Sequence, residues 1–164
     1  MESYSIPYTL VPKTTQLYLD YLYHFDRLAR FYSGSPLDVS NYRAVAAQLT
    51  LSSDLRAAVA DILARQNADY GAGEATLRNI GRLRDTRTMA VVTGQQVGLF
   101  SGPAYTIYKA LTAVRLAEHL SQLGLAAVPI FWLVTEDHDW EEVAEAAVLD
   151  EEYRLTPLRV DSSR

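Results

Sequence analysis

Residues 88–103 read Thr88-Met89-Ala90-Val91-Val92-Thr93-Gly94-Gln95-Gln96-Val97-Gly98-Leu99-Phe100-Ser101-Gly102-Pro103. Met89 to Val92 is a short apolar run with β-branched residues, suited to a buried parallel strand. Glycines at 94, 98 and 102 make residues 94–102 a bent connection. Pro103 is well placed as the first residue of a helix, where its missing N–H costs nothing. That helix is expected to run to about Leu123 and close at Gly124. Val128-Pro129-Ile130-Phe131-Trp132-Leu133-Val134 is a second apolar run, read as another buried strand with Pro129 confined to its first residues. Strand, helix and strand over roughly 45 residues make a βαβ unit, right-handed by the general rule.

Upstream of this unit the pattern is helical. Leu17, Tyr21, Leu22, Phe25, Leu28, Ala29 and Tyr32 recur at three- and four-residue spacing, predicting an amphipathic helix over 14–32 that ends at Ser33-Gly34-Ser35-Pro36. A second helical tract covers 41–66, with Ser52 and Ser53 as a candidate break. A third follows Gly73 and runs to Leu83. Downstream, Trp140 to Ala147 is expected to be a short acidic helix, and Tyr153 to Val160 a strand. The domain reading is a mainly helical region at 1–87, followed at 88–164 by the start of an α/β sheet.

With 164 residues, 49% of them hydrophobic, the chain is long enough for a core and too apolar to read as disordered. No apolar run reaches the roughly 20 residues of a membrane-spanning helix, and MESYSIPY lacks the features of a signal peptide. A soluble, cytoplasmic protein is the expectation. Zero cysteines exclude a disulfide, a thiolate metal site and a cysteine nucleophile, so any thiol in the chemistry arrives with a substrate. The net charge of -5 is uneven: nine acids and no Lys or Arg lie between Glu136 and Glu152. That distribution argues against a basic face for nucleic acid.

In an open α/β sheet, ligands bind outside the carboxyl ends of the strands, where helix N-termini also point. Two loops qualify. The first carries Thr93, Gly94, Gln95, Gln96, Gly98 and Gly102, with Tyr105 and Lys109 on the first turns of the helix that follows. These eight residues are the candidate substrate- or anion-binding set. The pattern matches neither G-x-G-x-x-G nor G-x-x-x-x-G-K-[ST], and a plain structural turn with Lys109 in solvent explains it as well. The second loop, Thr135-Glu136-Asp137-His138-Asp139-Trp140, could share a proton or hold a divalent cation. His138 is the acid/base candidate there, with Asp137 and Asp139 beside it to orient the ring. A helix cap with an acidic first turn accounts for Asp139, Glu141 and Glu142, though less well for His138.

Taken together, TGQQVGLFSGPAYTIYKA and VPIFWLVTEDHDWEEV resemble the corresponding blocks of the bacillithiol-biosynthesis cysteine-adding enzymes, the cysteine ligase family. The likeness is specific over roughly residues 90–143 and looser elsewhere. It implies an α/β, Rossmann-like parallel sheet of which this chain carries the helical N-terminal region and the first βαβ part. It also implies a ligase joining the carboxyl group of L-cysteine to the amine of glucosaminyl-malate, and a coiled-coil arm serving a homodimer in full-length members. Family members continue for several hundred residues beyond Arg164, so the chain reads as an N-terminal fragment whose activity in isolation is in doubt. Amide formation from a free carboxylate needs an activated acyl group, so a nucleotide (ATP or ADP) is expected as cofactor from chemistry alone. No metal is assigned. Two further readings stay open: a non-catalytic sugar-acid or nucleotide-binding module, and a metal-dependent hydrolase built on Glu136 to Asp139.

Overall fold

The computed structural model describes residues 4–136 and 139–161, the side chain of Glu142 excepted. The chain divides into two compact units, Met1–Thr50 and Leu51–Arg164.

In the first unit, helix α1 spans Gln16–Tyr23, with the Thr15 hydroxyl accepting the Tyr18 N–H as its cap. It stops at His24, short of the Tyr32 expected from periodicity, and single 3₁₀ turns follow at Phe25–Arg27 and Ala29–Phe31. Ring packing explains the break. Tyr21 and Tyr32 stand 5.3 Å apart, centre to centre, and Phe25 lies within 6.0 Å of both. Eleven residues of continuous helix would separate Tyr21 from Tyr32 by about 16 Å along the axis, so the contact requires the chain to fold back. Helix α2, Val39–Gln48, is capped by the Asp38 carboxylate, which accepts from the Ser40 N–H at 2.9 Å.

In the second unit, α3 spans Ser53–Asp69 and α4 spans Glu74–Arg82. The single tract expected over 41–66 is therefore two helices, α2 and α3. The break falls where the serines suggested, and the Ser52 hydroxyl accepts from the Leu55 N–H to start α3. Ala60, Ile80 and Leu83 form the buried contact of this pair. Arg56 ties α3 to the chain entering the sheet: its Nη1 donates to the carbonyls of Leu83, Asp85 and Thr88 at 3.2, 3.3 and 2.9 Å.

Strand β1 is Met89–Gln96, helix α5 is Ala104–Gln122 and strand β2 is Ala127–Val134. The two strands pair in parallel, in register from Met89↔Ala127 to Gln96↔Val134. Alanines 113 and 117 and Leu120 bury the inner face of α5 against the sheet. The helix ends as expected before Gly124, which takes φ 80° while the Leu125 N–H returns to the Leu120 carbonyl.

Three expectations need correction. β1 continues through Gly94, Gln95 and Gln96, so the connection is Val97 to Pro103. Gly94 is not a bend: a Cβ there would meet the Trp132 carbonyl oxygen at 2.7 Å, so the missing side chain lets the strands approach. Pro103 stands one residue before the helix, with ψ 155°, and its carbonyl accepts from the Thr106 N–H. The strands are only partly buried. Ala127 and Val128 are enclosed, whereas Val92 and Trp132 are 60% and 63% exposed, because α5 covers one face of a sheet that has two strands among the described residues.

The acidic segment also differs. Helix α6 is the single turn Trp140–Val143, followed by β3, Glu145–Leu149, and β4, Leu155–Arg159, paired antiparallel. Asp150 closes the hairpin, its carboxylate accepting the N–H groups of Glu152 and Arg154 at 3.0 and 2.8 Å. That side-chain turn and the cross-strand pairing outweigh the helical tendency of the Glu-Ala stretch.

Candidate functional site

Because β1 and β2 are adjacent and parallel, their carboxyl ends at Gln96 and Val134 share one edge. At the β1 end a cavity of about 610 Å³ opens. Gln95 and Gln96 line it from the strand, Gly98 and Gly102 from the loop, and Ala104 and Tyr105 from the first turn of α5.

The loop is tightly closed. A Cβ on Gly98 would stand 3.0 Å from the Gly102 Cα, so the absent side chain permits the approach. Phe100, Ser101 and Gly102 have φ of 54°, 74° and 76°. For the two non-glycine residues that left-handed backbone costs about 1–2 kcal/mol each. The Gly102 N–H donates to the Leu99 carbonyl at 3.0 Å and closes a tight turn there, and Phe100 is 68% exposed. The Thr106 hydroxyl is buried near Gly102, without a partner among the described residues.

Lys109 reaches back from α5 to the end of β1. Its ammonium donates to Gln95 Oε1 at 2.8 Å and to the Gly94 carbonyl at 3.4 Å, and it lies 5.1 Å from the centre of the Tyr105 ring. Gln95 in turn donates to Gln96 Oε1 at 2.9 Å. These partners are all neutral, so the full positive charge of Lys109 adds to the partial positive charge at the start of a 19-residue helix. The first N–H groups of such a helix have no partner inside it and face the loop. This is a site chemically suited to a carboxylate or a phosphate.

Of the eight binding candidates, Gln95, Gln96, Gly98, Gly102 and Tyr105 line the cavity, and Lys109 is bonded to one of them. Thr93 and Gly94 are strand residues opposite Phe131 and Trp132. Asp139 caps α6, its carboxylate accepting from the Glu141 N–H at 2.9 Å. Asp137 and His138 lie outside the described residues. Among the described residues no cluster of three or more His, Asp or Glu could hold a metal ion. No helix among them is long and apolar enough to cross a membrane.

The cavity has a wall that the sequence reading did not anticipate: Val143, Glu145, Ala146 and Ala147. No motif marks these residues. Their place depends on the β3–β4 hairpin, which the helical reading of 140–147 left out.

Known proteins resemble the chain over its length. The family model described as "Bacillithiol biosynthesis BshC, N-terminal Rossmann-like domain" matches residues 1–164. The protein named "Putative cysteine ligase BshC" of Solibacter usitatus is 48% identical over 150 residues, covering 92% of this chain and 27% of that protein. Its namesake in Koribacter versatilis is 39% identical over 158 residues, 96% of this chain and 29% of that protein. That of Geobacillus thermodenitrificans is 36% identical over 152 residues, 92% and 28% respectively. The chain thus spans roughly a quarter of the length of the curated relatives it matches.

Proposed function

We infer the function from membership: the chain belongs to the bacillithiol-biosynthesis BshC family and corresponds to its N-terminal Rossmann-like domain. The proposed activity, for the protein of which this domain is part, is a carbon–nitrogen ligase that joins the carboxyl group of L-cysteine to the amine of glucosaminyl-malate. The absence of cysteine from the chain is compatible with this, because the thiol then belongs to the substrate. The observation that carries the reading is the cavity at the carboxyl end of β1, where the α5 N-terminus, Lys109 and the Gln95–Gln96 amides converge.

In this reading the α5 N-terminus and Lys109 hold an anionic group of the substrate, either a malate carboxylate or a phosphate. Gln95 and Gln96 orient it through their amides. A nucleotide would supply the acyl activation that amide formation from a free carboxylate requires, and the glycine-lined N-terminus of α5 fits a phosphate on chemical grounds. As the amine attacks the activated carboxyl carbon, the C–N bond forms, the bond to the leaving group breaks and the amine sheds a proton. His138, with Asp137 and Asp139 beside it in sequence, is the proposed acceptor of that proton. Residues 88–164 are the proposed site-bearing part and residues 1–87 its helical companion. A cytoplasmic homodimer is the proposed state of the full-length protein.

The test is a product assay on the full-length protein with L-cysteine, glucosaminyl-malate and ATP or ADP. Formation of bacillithiol is expected, and His138→Ala should lower turnover by about 10²-fold or more. Wild-type protein that binds glucosaminyl-malate without ever forming the amide would establish a binding module instead. Turnover that appears only on adding a divalent cation and yields hydrolysis would establish the metal-dependent alternative.

A further inference from the structure

The β3 wall of the cavity has a definite hydrogen-bonding character, set by the phase of the hairpin. In an antiparallel pair, opposed residues alternate between pairs that exchange both N–H···O bonds and pairs that exchange none. Two bonds flank the β3–β4 ladder: the Val160 N–H donates to the Ala144 carbonyl at 2.9 Å, and the Asp150 N–H to the Arg154 carbonyl at 3.0 Å. With the register Glu145↔Arg159 to Leu149↔Leu155, both ends put the bonded pairs at Ala146 and Val148. Pro157 agrees independently. It has no N–H to donate, and it stands opposite Ala147, at a position where the ladder asks for none.

The N–H and C=O groups of Glu145 and Ala147 therefore project away from β4, toward the edge of β3 that has no strand beside it among the described residues. The cavity lies along that edge. Three consecutive β3 residues line it and no β4 residue does, whereas a cavity over the sheet face would meet alternate residues together with their partners. Among the described residues β3 pairs with β4 alone. The methyl side chains of Ala146 and Ala147 leave the backbone open to a ligand.

We propose that the β3 edge is the second half of the ligand site, where the outward N–H and C=O groups of Glu145 and Ala147 hold the hydroxyl-bearing part of a ligand whose anionic end lies at α5. A hydroxyl donates and accepts, so it suits an edge that alternates donor and acceptor, repeating every 6.8 Å or so along the strand. The inference rests on the reading of this cavity as a sugar-acid site and deepens it: the α5 end takes the acid, the β3 edge takes the sugar.

The test uses the full-length protein and two probes, malate and glucosaminyl-malate, in titration calorimetry. Ala147→Pro removes one outward N–H without touching the ladder, so the hairpin should survive, whereas Ala146→Pro removes a ladder bond and should lower the melting temperature. Ala147→Pro is expected to weaken glucosaminyl-malate about five- to tenfold and to leave malate unchanged. Hydrogen exchange on the wild type provides a readout independent of the variant's folding. Saturating glucosaminyl-malate should slow the amides of Glu145 and Ala147 and leave that of Ala146 as it was. Equal affinities for both probes before and after Ala147→Pro would overturn the proposal, as would unchanged exchange at Glu145 and Ala147. Wild-type protein that binds neither probe would instead overturn the sugar-acid reading on which the proposal rests.

Discussion

Replacing Gly94 by Ala tests whether this glycine serves the sheet or the loop. The added Cβ would stand 2.7 Å from the Trp132 carbonyl oxygen and 3.0 Å from the Trp132 Cβ. Ordinary van der Waals contact begins near 3.4 Å, so β1 and β2 must separate locally by 3.4 - 2.7 = 0.7 Å. A ladder bond of about 2.9 Å would stretch to roughly 3.6 Å, beyond hydrogen-bonding range. Overpacking of this kind costs about 1–3 kcal/mol. For a chain of this size each kcal/mol lowers the melting temperature by roughly 2–4 °C. Urea unfolding of Gly94→Ala should show the midpoint falling accordingly. Gly81→Ala supplies the opposite sign: it lies within α4 with open space around the missing Cβ, so alanine should stabilise by about 0.5–1 kcal/mol. A Gly94→Ala protein at least as stable as the wild type would refute the close-approach argument and return Gly94 to the role of a bend.

Three further outcomes follow from the same structure. Arg56→Met should destabilise the chain by roughly 2–3 kcal/mol in urea unfolding, because the carbonyls of Leu83, Asp85 and Thr88 lose a shared charged donor. A loss below about 0.5 kcal/mol would show that water replaces the guanidinium. The Asp85 carboxyl is held down from 3.8 to about 2, first by its hydrogen bond from the Arg87 side chain and then by the Arg87 N–H. Its stabilising effect is thus complete above pH 3.8 and is lost as pH falls through about 2. The melting temperature of Asp85→Asn should therefore change less over that range than that of the wild type. Lys109→Met should weaken malate binding by about tenfold at low salt, and by less at high salt, where the wild-type advantage is screened. Equal affinity of variant and wild type at every ionic strength would remove Lys109 from the site.

The local elements were legible in the sequence wherever the cause is local. The apolar runs at 89–92 and 128–134 are strand cores, Gly124 ends α5, and Ser52 starts α3 by accepting a backbone N–H three residues on. The glycines, glutamines and Lys109 of the 93–109 stretch marked a candidate loop at the strand end, and Gln95, Gln96, Gly98 and Gly102 line the cavity there. Other features depend on partners distant in sequence. The periodicity of 14–32 fits a helix, yet three aromatic rings separated by as many as eleven residues gather only if the helix ends at His24. Gly94 resembles a turn residue until Trp132 lies beside it. The Glu-Ala stretch after Trp140 has helical composition, but β4 takes its hydrogen bonds and turns residues 145–149 into a strand. Only that pairing faces the N–H groups of Glu145 and Ala147 outward, because the direction of a backbone group in a strand is set by the strand it bonds to and by no side chain of its own.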